Sequence, residues 1–170
     1  KGTYANYKKM LKQDVIGHTP MEFLLSASIS GLLVDYLKES ISVENIMVHM
    51  IGESSTGKTT GALLAVSCGS APDFLGNNFV FSFQDTLNSL MRLIPNSYPT
   101  LIDEGSLLTD RDMTQTLYSL SSGTEKRRLS GGMEVNESSR FRTALFLTSE
   151  KSILAQCNMN TGLLTRNFEF

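Results

Sequence analysis

The chain has 170 residues, 41% of them hydrophobic and 19% charged, with a formal net charge of −2. That mix excludes a disordered or collagen-like chain, and the small negative charge excludes a global positive field, so any basic patch must be local. The length fits one domain, able to bury roughly two-thirds of its unfolded surface without staples. Cys68 and Cys157 are too few for a disulfide scaffold and wrongly spaced for zinc, which predicts reduced thiols and a cytoplasmic setting.

The longest apolar stretch, residues 21–37, is broken by Glu22, Asp35 and serines, so no membrane span is expected. The sequence starts at Lys1 and ends on the alternating run Asn167-Phe168-Glu169-Phe170, and reads as a piece of a longer protein. Residues 1–19 are basic and read as an irregular lead-in, leaving 20–170 as the core.

Thr19-Pro20 opens a helix, a capping residue followed by proline at the first helical position. Met21, Leu24, Leu25, Ala27, Ile29, Leu32, Leu33 and Leu37 give that helix a broad apolar face, which predicts burial. The run Ile46–Ile51 is short, apolar and followed by a glycine-rich loop, the pattern of a fully covered strand in a parallel sheet. Residues 58–66 are helical in pattern, 79–83 form a second strand, 85–93 a second helix, and 98–102 a third strand with Pro99 at its tolerant start. Asp110 caps a helix to about Leu120, and the polar, glycine-punctuated stretch 121–140 reads as an inserted β-hairpin. A strand at 143–147, a helix at 152–157 and a terminal strand complete the series. Alternating strands and helices predict an α/β fold, a parallel central sheet with helices on both faces.

Gly52-Glu53-Ser54-Ser55-Thr56-Gly57-Lys58-Thr59 fills every fixed position of G-x-x-x-x-G-K-[ST], and Thr60 follows. Such a loop turns successive backbone N–H groups inward on a phosphate. Lys58 adds a point charge between the β- and γ-phosphates of ATP, and Thr59 offers its hydroxyl to Mg²⁺. The next helix aims its positive dipole end at the same place. An incidental glycine-serine turn would not combine all these features with a strand before and a helix after.

Hydrolysis needs a held metal ion and a residue that orients water. Asp103-Glu104 directly follows Leu101-Ile102, at the carboxyl end of a strand expected beside the phosphate-loop strand. Asp103 is then the Mg²⁺ partner and Glu104 the water-orienting base, a pairing that favours an ATPase over a phosphotransferase. The alternative is an exposed acidic strand end. Strand 143–147 ends in Thr148-Ser149-Glu150, where Thr148 is positioned to sense the γ-phosphate; the alternative there is an ordinary helix cap.

The loop at 52–60, Asp103-Glu104, the polar glycine hairpin and Leu147-Thr148-Ser149-Glu150 occur in one order and spacing. Together they resemble the P-loop family catalogued as domain of unknown function nine-twenty-seven, over roughly Met21 to Phe170. The resemblance implies a P-loop NTPase of the additional-strand, AAA+-like type. It also implies an ATPase core from a phage, plasmid or integrative element, similar to hexameric helicases of the minichromosome-maintenance type. A homo-oligomeric ring acting on DNA, in single-stranded form, follows from the same likeness. Thr148-Ser149 departs from the family's usual Ser/Thr-Thr-Gly, so the sensor falls on one or the other.

Glu125-Lys126-Arg127-Arg128 is the densest positive cluster. In a ring, such a hairpin projects into the pore and grips phosphates through Lys126, Arg127 and Arg128; alone, it reads as a solvated turn. No aromatic residue sits within it, which argues against base stacking. Arg166 precedes the last strand, where AAA+-like rings place an arginine that reaches the neighbouring subunit's γ-phosphate; a surface arginine is the alternative. His18 and His49 read as structural, and the methionines as core filler. The reading that results is a Mg-ATP-dependent DNA helicase or translocase core, with Lys58, Glu104, Thr148 and Arg166 as catalytic residues. Its rival is an ATP-dependent switch or assembly module that moves no DNA.

Overall fold

The computed structural model describes residues 2–37, 40, 44–74, 79–82, 87–94, 97–104, 113–124, 140–157 and 161–170. Helix α1 (Tyr4–Met10) runs into a π-helical turn (Leu11–Val15), where the sequence suggested an irregular lead-in. The Thr3 hydroxyl accepts from the Asn6 N–H at 3.2 Å and caps its start. Tyr7, Leu11 and Val15 recur at helical spacing and turn inward, Val15 to full burial. This short amphipathic pattern is masked in the sequence by the lysines around it.

Helix α2 (Thr19–Leu37) carries Pro20 in its first turn. The His18 carbonyl accepts from the Met21 and Glu22 N–H groups, at 2.9 and 3.1 Å, so the capping position falls on His18 and the expected cap Thr19 is already helical. The Glu22 carboxylate reaches back to the Gly17 N–H at 2.9 Å. Then come β1 (Ile46–Ile51), α3 (Lys58–Val66), β2 (Val80–Ser82), α4 (Leu87–Leu93), β3 (Thr100–Asp103) and α5 (Met113–Ser122). The chain continues through β4 (Ala144–Ser149), a 3-10 turn (Leu154–Gln156) in place of the expected helix, α6 (Thr161–Leu164) and β5 (Asn167–Glu169).

All five strands lie in one parallel sheet of order β2-β3-β4-β1-β5. The carboxylate strand β3 is therefore not beside β1, as the sequence suggested; β4 lies between them. Strand β4 has the uninterrupted apolar run Ala144-Leu145-Phe146-Leu147 and is buried at every position, as a central strand must be. Strand β3, with Pro99 just ahead of it, takes the more peripheral place.

Alternation along the strands feeds two cores. Val48, Met50, Leu101, Ala144 and Phe146 pack under α2 and α3, and Met47, Ile102, Leu145 and Leu147 pack under α4 and α5. Each large side chain so buried contributes about 1.5–3 kcal/mol. Among the described residues, no helix is long and apolar enough to cross a membrane. Neither Cys68 nor Cys157 forms a disulfide.

Thr124 and Arg140 form an antiparallel bridge at the base of the expected hairpin. The stretch between them lies outside the described residues, and with it Lys126, Arg127 and Arg128, as does the expected cap Asp110.

Candidate phosphate-binding site

The loop of residues 52–57 leaves the carboxyl end of β1 and enters α3, which starts at Lys58 as its sequence pattern suggests. Gly57 has φ +90°, a conformation open to glycine and costly for other residues, and it lets the chain turn sharply into the helix. At Gly52 an added Cβ would stand 3.1 Å from Thr56 Oγ1, so the loop closes tightly on itself. Lys58 Nζ donates to the carbonyls of Gly52 and Glu53, at 2.8 and 2.6 Å. Its ammonium is thus held over the loop by two of the loop's own carbonyls.

Two sheet positions meet the start of α3. Asp103 and Thr148 alternate with Ile102 and Leu147, so both point to the α3 side of the sheet. Thr59 Oγ1 donates to Asp103 Oδ1 at 3.1 Å, and Thr148 Oγ1 donates to the same oxygen. Thr148 Oγ1 in turn accepts from the Glu104 N–H at 3.2 Å. Glu104 is exposed and has φ +62°, a left-handed conformation uncommon for a residue with a side chain. Such outliers cost of order 1–3 kcal/mol and cluster at functional sites. The structure thus brings Lys58, Thr59, Asp103, Glu104 and Thr148 together at one end of the sheet.

Ser149 goes to the opposite face. Its hydroxyl lies 2.6 Å from Nε2 of His49, whose Nδ1 lies 2.8 Å from Glu169 Oε1. Glu169 also accepts from Ser152 Oγ at 2.7 Å and from the Leu154 N–H at 3.1 Å. Burial pushes the His49 pKa down, outweighing the opposing pull of Glu169. Burial would raise the Glu169 pKa, but the bonds from Ser152, His49 and Leu154 prevail and hold it below the usual carboxylate value. Sequence alone marked His49 as packed; no spacing pattern announces partners 100 and 120 residues away.

Arg166 does not join the cluster. It precedes β5, and Asn167 pairs with Met47 near the start of β1, so Arg166 sits at the amino end of the parallel sheet. The loop begins at Gly52, five residues beyond Met47, on the order of 16 Å away at ~3.3 Å per residue. Arg166 Nε and Nη2 engage the Glu44 carboxylate at 2.5 and 3.1 Å, a contact the sequence gave no sign of.

Among the described residues, no three His, Cys, Asp or Glu side chains gather as a metal cage. The cluster instead offers the Thr59 hydroxyl and the Asp103 carboxylate, oxygen donors in contact with each other. One carboxylate with a neighbouring hydroxyl fits Mg²⁺, which keeps several waters and draws its remaining ligands from phosphates.

Fold and cluster together define an α/β protein with a glycine-rich loop between a central strand and its helix. The chain belongs to the family described as "Domain of unknown function (DUF927)", whose profile matches residues 1–140. That span takes in α1, which the resemblance read from Met21 onward had left out, and ends before β4. A solved structure described as "SCCmec type IV Cch - active helicase" is similar over 100% of this chain, with 32% identity and a TM-score of 0.85. The chain corresponds to 31% of that protein's length. NtrX from Brucella abortus, in complex with ADP, matches 97% of this chain and 38% of its own at 11% identity and a TM-score of 0.42, too slight a likeness to carry any inference. No curated protein matches the sequence.

Proposed function

We propose that the chain is the Mg-ATP-binding and hydrolysing core of a DNA helicase or translocase from a mobile genetic element. The observation that carries this reading is the convergence of Thr59 and Thr148 on Asp103 beside the Lys58 loop. Its support is the likeness to a helicase over the whole chain. The sheet order, with an extra strand between β1 and β3, suits the additional-strand, AAA+-like class of P-loop NTPase. Residues 20–170 serve as the ATPase core, in a cytoplasmic ring of like subunits, with the segment 121–140 as its inserted hairpin.

Residues Gly52 to Thr60 wrap the phosphates of ATP. Lys58 exchanges its loop carbonyls for phosphate oxygens, and the N-terminal turn of α3 adds its N–H groups and dipole. Thr59 and Asp103 hold Mg²⁺, which neutralises charge on the phosphates when bound. Thr148 sits between Asp103 and the Glu104 N–H. From there it sets the backbone that aims the Glu104 carboxylate, and its hydroxyl reports on the γ-phosphate. Glu104 orients the attacking water. Arg166, at the far end of the sheet, serves a neighbouring subunit's site instead of its own. Lys126, Arg127 and Arg128 grip DNA phosphates.

Glu104→Gln keeps the shape and hydrogen bonding of the side chain but removes its basicity. In the full-length protein, ATP binding should be parental and turnover should fall by at least ten-fold. Turnover at the parental rate would reject the assignment.

A further inference from the structure

Residues 1–21 contain four lysines and one acid, Asp14, in a chain whose net charge is −2. Folding gathers three of those lysines on one surface. Tyr7, Met10, Leu11 and Val15 turn toward the body, which leaves Lys8, Lys9 and Lys12 exposed on the outer side of α1 and the π-helical turn. Their stems, with Ala5 and Gln13, frame a shallow open depression. A helix this short does not persist alone in water. The Tyr7 hydroxyl, 3.0 Å from Ser67 Oγ, ties it to the carboxyl end of α3 and so fixes where the lysines sit. The Lys8 ammonium lies 4.7 Å from the centre of the Tyr4 ring, itself 74% exposed. Among the described residues, no carboxylate pairs with Lys8, Lys9 or Lys12.

We propose that this face binds single-stranded nucleic acid, with the three ammonium groups on its phosphates and the Tyr4 ring as a platform for a base. The proposal rests on the helicase-like reading, and adds to it a place on the chain where the strand is held. Cations interleaved with an exposed aromatic ring are the combination that holds single strands without regard to sequence. Residues 125–128 have the charge but no ring. An anionic membrane is the poorer fit. An interfacial helix needs a free apolar face, and here Leu11 and Val15 are turned into the protein, leaving Ile16 exposed beyond the turn.

The test is fluorescence anisotropy of the full chain with a labelled oligothymidylate across a range of salt. Mg-ATP titration calorimetry is run on the same preparations. The triple change Lys8→Gln, Lys9→Gln and Lys12→Gln should weaken oligonucleotide binding at least ten-fold at low salt. It should also flatten the plot of log affinity against log salt by about 2, at ~0.7 per single-strand contact. Tyr4→Ala alone should weaken binding about five-fold or more with the slope unchanged. All four side chains are exposed, so Mg-ATP binding should match the parent in both variants. A triple variant within two-fold of the parent would overturn the proposal. So would a parent that ignores the oligonucleotide, or one that prefers phosphatidylglycerol vesicles to it. Oligonucleotide binding without Mg-ATP binding would sink the nucleotide reading and leave this surface standing; the reverse result would do the opposite.

Discussion

Thr148 shows how much one hydroxyl can organise. It donates to Asp103 and accepts from the Glu104 N–H while being almost fully buried. Thr148→Val keeps the branched shape and strips both bonds, leaving a carboxylate and an N–H short of partners. The expected loss is about 1–3 kcal/mol in urea unfolding, along with slower ATP turnover; parental values for both would remove Thr148 from the site. The residue types made the turn from Gly52 into the helix at Lys58 legible from sequence, because the pattern puts a glycine at position 57, where φ is +90°. The choice between Thr148 and Ser149 was not legible. Period-two alternation says that neighbours face opposite ways, but not which of them faces Asp103. His49 carries a pH consequence. Its pKa is lowered by burial below the usual value of about 6.5, so the unfolded chain binds the proton first as pH falls. The stability it contributes is therefore complete above that value and is lost as pH drops toward the folded pKa. The depressed Glu169 adds a loss of the same sign at lower pH. Thermal midpoints measured against pH should fall on acidification from about pH 6.5, and His49→Gln should flatten that upper part of the decline. A parental profile in the variant would place the titration elsewhere.

Among the elements, α2 rests on β4 at Gly31, where an added Cβ would stand 2.4 Å from the Ala144 backbone nitrogen. In an open helix, glycine to alanine stabilises by up to about 1 kcal/mol. At Gly31 the sign reverses, because a backbone atom of a central strand cannot give way. Gly31→Ala should cost about 1–3 kcal/mol in denaturant unfolding; a stabilised variant would show that α2 does not sit this close. Helix α3 was readable to its ends, since a glycine loop defines its start. Helix α1 was hidden, because its inward side chains are few and lysines stand between them. Strand order was hidden for a different reason. Apolar runs identify strands, but pairing is decided by burial on both faces, and that put β4 between β1 and β3.

For the whole molecule, the proposed ring predicts that one copy of the chain completes another's site. The Arg166–Glu44 pair is about a third exposed, at 34% and 38%, and such pairs contribute 0 to about 1 kcal/mol. If the arginine serves only that pair, Arg166→Ala and Glu44→Gln should behave alike. If Arg166 serves a neighbour, Arg166→Ala alone should lose hydrolysis, by about 10³-fold or more. Mixing it with Lys58→Ala subunits should then restore activity above the sum of the two. Co-assembly without any recovery would return Arg166 to its local ion pair.

The central claim is that the Gly52–Thr60 loop binds the phosphates of ATP with Mg²⁺ held at Thr59 and Asp103. Calorimetric titration of Mg-ATP into the chain and into its Lys58→Ala variant tests it most directly. Lys58 is half-buried and, among the described residues, its ammonium touches its own loop alone, so the variant should keep the parental fold by circular dichroism. The parent should bind saturably and the variant at least ten-fold more weakly. Equal affinities, or no binding by the folded parent, would contradict it.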